Sequence, residues 1–467
     1  MEENNISRTE VPVGAVSGTP TSEMGQLVDL PIPEEPRKKT GKLVGLAMLI
    51  VLLIGGGVFA GIKLLKKDEN SEKPTAVEPM DVDGEFAMRF LRLENNQKNM
   101  IYSPLSIKYG LSLLKDGADG TTKSEIEDVL GEEEVTKYQN IEEKLSLANA
   151  VFIRDSFSPY VAESYKEVVT SRYNSELILD KFQSAAIMDN WVSEKTFGLI
   201  KEVGMDIDEK TEMVLANALA IQMEWATKFN GTTLGRNFYK ADGSEVEATT
   251  LAFDETKSEN VAYYKDENVT MATIDLEALE DGTQLEFIAV MPEGALLDYA
   301  KTASVRSVME MEAKKTKASA TKDGVDLYIP KFKFEHKLDF MNDLKKLGIQ
   351  DAFSIENANF AAMVDLVKMK QDFGNDYNIY VSQAIHKANI DFSEKGIKAA
   401  AVTAFAMRME ATAMMDEPEP VVVRIDRPFL FMIVDKETKE VWFVGTMYEP
   451  NLWEEEEVVD PFEWMGF

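Results

Sequence analysis

EKGIKAAAVTAFAMRME, residues 394–410, places three consecutive alanines between two strand-forming stretches, NIYVSQAIHKANIDF (378–392) and RPFLFMIVD (427–435). Taken two at a time, it separates into two sets. Ile397, Ala399, Ala401, Thr403, Phe405, Met407 and Met409 carry no charge. Lys398, Ala400, Val402, Ala404, Ala406, Arg408 and Glu410 carry all the charge from Ile397 onward. A period of two belongs to a strand with one buried and one wet face. The flanks read differently. Gly396 precedes the run, and TAMMDEPEPVV (412–422), with its prolines and carboxylates, has the composition of an exposed loop. Alanine favours helix, but the charges at 398, 408 and 410 leave no helical face clean. The segment therefore has strand grammar in a loop-like setting.

Composition narrows what such a segment can serve. The chain has 467 residues and a net charge of −32, and no basic stripe is visible, so nucleic acid is not an expected partner. Cysteine is absent, which removes thiol catalysis, thiolate metal sites and disulfides. The two histidines, His336 and His386, sit in the strand-like stretches FKFEHKLDF and SQAIHKANI and read as structural. No helical two-histidine zinc spacing exists. No cofactor, metal or enzymatic activity is expected.

Along the chain, residues 1–42 read as a disordered tail ending in a basic flank. LVGLAMLIVLLIGGGVFAGI (43–62) has no charge and, at the helical rise, spans about 30 Å, a bilayer core. A transmembrane helix over 43–65 is expected, with 66–80 as a flexible tether; the rival is a cleaved secretory signal, whose apolar region is normally shorter and nearer the start. The transmembrane reading makes the chain a single-pass membrane protein of prokaryotic type with an extracytoplasmic, extracellular domain. From 81 to 452 the texture is globular, helix-rich first and strand-rich later, an α+β signature. SEIEDVLG (124–131) opens on a candidate capping serine, and Asp-Gly pairs at 242–243, 281–282 and 323–324 signal hairpins. Residues 453–467 form an acidic, aromatic tail.

Residues 81–452 resemble the serpins, the strand-inserting serine protease inhibitors. The similarity rests on several stretches in order: NMIYSPLSIKYGLSLLKDGADGTTKSEIEDVLG (99–131), LSLANAVFIRD (145–155), DNWVSEKTFGLIKEV (189–203), TEMVLANALAIQMEWATKF (211–229), LYIPKFKFEHKLDFMNDLKKLGIQDAFS (327–354), IYVSQAIHKANIDFSEKGIKAAA (379–401) and RPFLFMIVDKETKEVWFVGTMYEP (427–450). The resemblance implies a fold of three β-sheets with eight or nine helices and an exposed reactive-centre loop. It implies a monomer that presents the loop as bait, is cut and acylated, and inserts the cut loop into its main sheet before water can release the protease.

Residue by residue, the resemblance makes Glu394, Gly396, Ile397, Ala399, Ala400 and Ala401 the loop hinge. Gly396 would be the pivot, and the alanines would be small enough to pass between paired strands. Ser103, Ser106, Asn217 and His386 match the shutter, where that sheet opens, and Trp225 the breach, where insertion starts. The bait bond falls at Glu410–Ala411, implying a glutamyl-specific serine protease. Cleavage after Met409 or Arg408 would instead suit an elastase/subtilisin-like or trypsin-like enzyme, and a cysteine protease ranks below these. Ile397 and Lys398 depart from the family, which often has Thr or Ser and then Glu there. The short interval EEEVTKYQNIEEK (132–144) leaves little room for the family's fourth helix. The runner-up reading is a non-inhibitory relative acting as a chaperone or binding protein.

Overall fold

The computed structural model describes residues 82–131, 135–205, 207, 211–375, 377–397 and 419–454. All belong to the compact unit Val77–Phe467. Nine α-helices occur among these residues: α1 (Val82–Glu94), α2 (Pro104–Gly117), α3 (Gly120–Leu130), α4 (Glu163–Glu167), α5 (Ala186–Lys195), α6 (Leu296–Thr302), α7 (Val305–Glu312), α8 (Phe340–Leu347) and α9 (Leu366–Phe373).

Eighteen strands form three sheets. The first joins β1 (Met100–Tyr102), β8 (Val261–Lys265), β9 (Val269–Asp275), β10 (Leu285–Pro292), β11 (Thr316–Lys317), β17 (Phe429–Asp435) and β18 (Val441–Met447) in the order β1-β18-β17-β10-β9-β8-β11. The second is β16 (Val421–Arg424), β12 (Val325–Pro330), β7 (Glu245–Thr256) and β6 (Leu234–Tyr239), in that order. The third runs β3 (Glu176–Asp180), β2 (Leu145–Arg154), β4 (Met213–Ile221), β14 (Gln383–Phe392), β15 (Gly396–Ile397) and β5 (Met223–Glu224), with β13 (Phe332–Lys337) also paired to β14. The expected three-sheet α+β architecture is present.

Sequence explains most of these elements. FLFMIVD and VWFVGTM are continuous apolar runs, and both strands are buried throughout. The third sheet has a different face on each side. Met213, Leu215, Leu219 and Ile221 of β4 enter the main core, whereas Val214, Ala216 and Ala218 join Ala148, Ala150 and Phe152 of β2 beneath Met188, Trp191 and Val192 of α5. The small alanines let α5 lie close to the strands. Asp242-Gly243 turns the β6–β7 hairpin and Asp281-Gly282 lies in the β9–β10 connection, each glycine at positive φ.

Three expectations need correction. Asp323-Gly324 is not a hairpin turn, because it leads from the first sheet into β12 of the second; a Cβ on Gly324 would lie 2.6 Å from the Glu255 backbone. The cap of α3 is Asp119, whose side chain accepts from Gly120 N, and Ser124 lies inside the helix with its hydroxyl donating to Gly120 O. By contrast, the described part of the 132–144 interval, from residue 135, contains no helix, in line with its short length. Finally, the single-pass membrane assignment is overturned: among the described residues no helix is long and apolar enough to cross a membrane. The apolar run at 43–65 on which it rested lies outside those residues, as does most of the acidic tail.

Candidate functional site

Strands β4 and β14 run parallel, yet their pairing extends only from Gln383–Val214 to His386–Asn217. Beyond His386, β14 keeps its other edge on β13, from Lys387–Lys337 to Phe392–Phe332. No pairing joins it to β4 there among the described residues. The sheet thus parts above Asn217 and His386. At the far end of the gap lies β15, antiparallel to both neighbours: Gly396 pairs with Glu224, and Ile397 pairs with Met223 on one side and Phe392 on the other.

Each residue around this wedge has a physical reason to be there. A Cβ on Gly396 would sit 2.1 Å from the Met223 carbonyl oxygen, so only glycine allows the close approach. Its φ is not in the left-handed region. The expected pivot role is therefore replaced, in this conformation, by a demand for space. Ile397 is 3% exposed and belongs to the main core. Trp225 is fully buried, its Nε1 donating to Ser393 O at 2.8 Å and its backbone N to Lys395 O at 3.0 Å. Its ring packs against Phe392, 5.1 Å between centroids, and Phe392 in turn stacks on Phe332 at 4.9 Å. Glu394 is held by Lys331 Nζ at 3.1 Å. Residues Ala399, Ala400, Ala401, Arg408, Met409, Glu410 and Ala411 lie outside the described residues.

The apex of the gap is polar. Ser103 caps α2: its backbone N donates to His386 Nε2 at 2.9 Å, and its Oγ accepts from Ser106 N at 3.0 Å. Asn217 Nδ2 donates to Asn149 Oδ1 at 2.9 Å. All five residues are buried. Burial, with a smaller contribution from His336, pushes the His386 imidazole down to about 3, so it is neutral at ordinary pH. Ser106 Oγ, Asn217 Oδ1 and His386 Nδ1 have no hydrogen-bond partner among the described residues. Hydrogen-bonding capacity is thus left over where the strands part.

The structure brings Ser103, Ser106, Asn217 and His386 together, and places Trp225 with Glu394, Gly396 and Ile397 at the opposite end of the gap. Three participants were missed in the sequence. Asn149 arrives from β2 across its pair with Asn217. Gly110 lets α2 touch β4, since a Cβ there would lie 2.1 Å from Asn217 Nδ2. Lys331 comes from the link between β12 and β13. Only Gly110 left a signal, as a glycine inside an otherwise strong helical pattern.

Comparison with known proteins agrees with this geometry. A family model described as serpin (serine protease inhibitor) matches residues 82–450. A serine protease inhibitor of Cyanea capillata is 26% identical over 394 residues, covering 79% of this chain and 98% of its own. Alpha-1-antichymotrypsin of Pongo abelii is 28% identical over 412 residues, covering 82% of this chain and 91% of its own. Among solved structures, the native thermophilic serpin tengpin aligns with a TM-score of 0.65 at 24% identity, over 82% of this chain and 97% of that one. Thyroxine-binding globulin complexed with thyroxine gives 0.64 at 24% identity, over 79% and 98%. The chain belongs to the serpin family of serine protease inhibitors.

Proposed function

We propose that the domain inhibits a serine endopeptidase by covalent trapping, with residues 398–409 inserting as a new strand between β4 and β14 after cleavage. The observation that carries this reading is the wedge: Gly396 and Ile397 already occupy the top of the gap, antiparallel to both walls. Two independent registers then agree. Six residues down from Met223 is Asn217, six down from Phe392 is His386, and six on from Ile397 is Thr403. Thr403 would reach the apex, where its hydroxyl meets the unpartnered Asn217 Oδ1 and His386 Nδ1. The core-facing side chain of Ile397 sets the parity, so Ala399, Ala401, Thr403, Phe405, Met407 and Met409 enter the core and Lys398, Arg408 and Glu410 do not.

The hinge assignments follow from this. Ala399, Ala400 and Ala401 are the first to pass between the walls, where bulk would slow entry and let hydrolysis win. The pairing extends to Met407 at the foot of β4, so a cut at Glu410–Ala411 leaves enough chain to fill the slot, as would cuts after Met409 or Arg408. In this reading the protein is the trap and not an enzyme. Incubation with a glutamyl endopeptidase tests it: a complex that survives SDS is expected. Cleaved inhibitor beside fully active protease would contradict it and favour a non-inhibitory binding protein.

A further inference from the structure

On the second sheet, Arg424 of β16 pairs with Tyr328 of β12, Tyr328 pairs with Ala252 of β7, and Ala248, four residues back on β7, pairs with Arg236 of β6. Even spacing puts Arg236, Tyr328 and Arg424 on one face. Both guanidinium groups lean on the same ring, 4.1 Å from its centroid for Arg236 and 5.8 Å for Arg424. Between them opens a cavity of about 310 Å³, walled also by Phe238, Pro330 and Asp426.

Charge makes the cluster unusual. The chain carries 82 acidic and 50 basic side chains. Yet neither Arg236 nor Arg424 is in an ion pair with a carboxylate among the described residues, although Arg424 acts through space on the Asp426 carboxylate. Asp426 is the one acid in the lining. It is half-buried, its own ion pair is with Arg427 at 3.6 Å, and burial raises its carboxyl above the usual range. Two like charges on one aromatic ring repel each other, and an oxyanion between them removes that repulsion through charge-assisted hydrogen bonds. The aromatic and proline walls favour an apolar body behind the oxyanion, and a cavity at the small end of ligand pockets limits its size.

We infer that the Arg236–Tyr328–Arg424 cavity is a binding site for a small organic carboxylate: the guanidinium groups take the carboxylate, and the ring, Phe238 and Pro330 cover its apolar body. The reasoning does not depend on protease inhibition, so the two stand or fall separately. Fluorine NMR of the full chain with 4-fluorobenzoate as probe tests it. Saturable broadening in the millimolar range is expected, at least tenfold weaker for the uncharged 4-fluorobenzamide and for Arg236→Gln, and weakened by added salt. Arg424→Gln, at an exposed position, should weaken binding as well. Equal binding of the amide, unchanged binding in both variants, or displacement by inorganic phosphate at a lower concentration than benzoate itself requires would each overturn the assignment.

Discussion

Gly396 and His386 are the residues whose chemistry is most exposed to test. Replacing Gly396 with alanine drives a methyl into the Met223 carbonyl oxygen. Backbone on one side and a packed core on the other leave little room to yield, so about 1–3 kcal/mol of strain is expected. Calorimetry should show Gly396→Ala melting a few degrees below the parent, whereas an unchanged transition would mean that β15 is not seated in the gap. At His386 the sign of the pH effect is fixed by burial. Its folded pKa is pushed to about 3, below the ordinary value of about 6.5 for the unfolded chain. The stability that it contributes is complete above pH ~6.5 and is lost as pH falls toward 3, by about 1.4 kcal/mol per unit. Asp343, buried and raised to about 6, acts in the opposite sense, with stability lost as pH rises through about 6. Urea titration at stepped pH should therefore show a shallower acid limb for His386→Gln and a higher neutral stability for Asp343→Asn. The sequence singled out His386 and Gly396 but not the force acting on each. A glycine shows that space or freedom is needed; only the position of Met223 O shows which.

At the scale of elements, the alternation of the loop makes a two-sided claim. Ala399 and Ala401 would point into the core after insertion, and Ala400 away from it. A carboxylate at a core-facing position loses its hydration without a partner, a penalty of several kcal/mol. The expected result is that Ala399→Glu or Ala401→Glu converts the inhibitor into a substrate, raising the number of inhibitor molecules consumed per protease trapped. Ala400→Glu should raise it far less, and equal effects at all three positions would mean that the parity is wrong. Thr403→Val keeps the shape but removes the hydroxyl expected at Asn217 and His386. Leaving those groups unsatisfied costs about 1–3 kcal/mol, which should appear as a lower melting temperature of the cleaved form with the intact form unchanged. Period-two patterning was legible because it is local. The short wedge at Gly396–Ile397 was not, since pairing partners 170 or so residues away in sequence decide it. Likewise Asp323-Gly324 has hairpin chemistry, but the strands around it belong to different sheets.

For the whole molecule, order and spacing of ordinary segments were enough to identify three sheets and the family, although no single segment was. Composition alone reads a long apolar run as a membrane span, whereas no helix among the described residues is long and apolar enough to cross one. Within the described residues the energetic situation is a sheet parted between β4 and β14, with unpaired strand edges on both walls and unsatisfied polar groups at the apex. On the proposed mechanism, a strand running from the gap to the foot of β4 would add a ladder of hydrogen bonds, replace the β4–β14 pairs at Val214–Asn217, and bury Phe405 and Met407. Together these contribute about 10 kcal/mol or more, comparable with the whole stability of a typical domain. On that mechanism, the intact chain would be held from its lowest state by the continuity of its own loop. The direct measurement is the melting temperature before and after a single cut between residues 408 and 411, with the site of the cut fixed by mass spectrometry. The cleaved form should melt tens of degrees above the intact form; identical transitions would show that no strand has inserted.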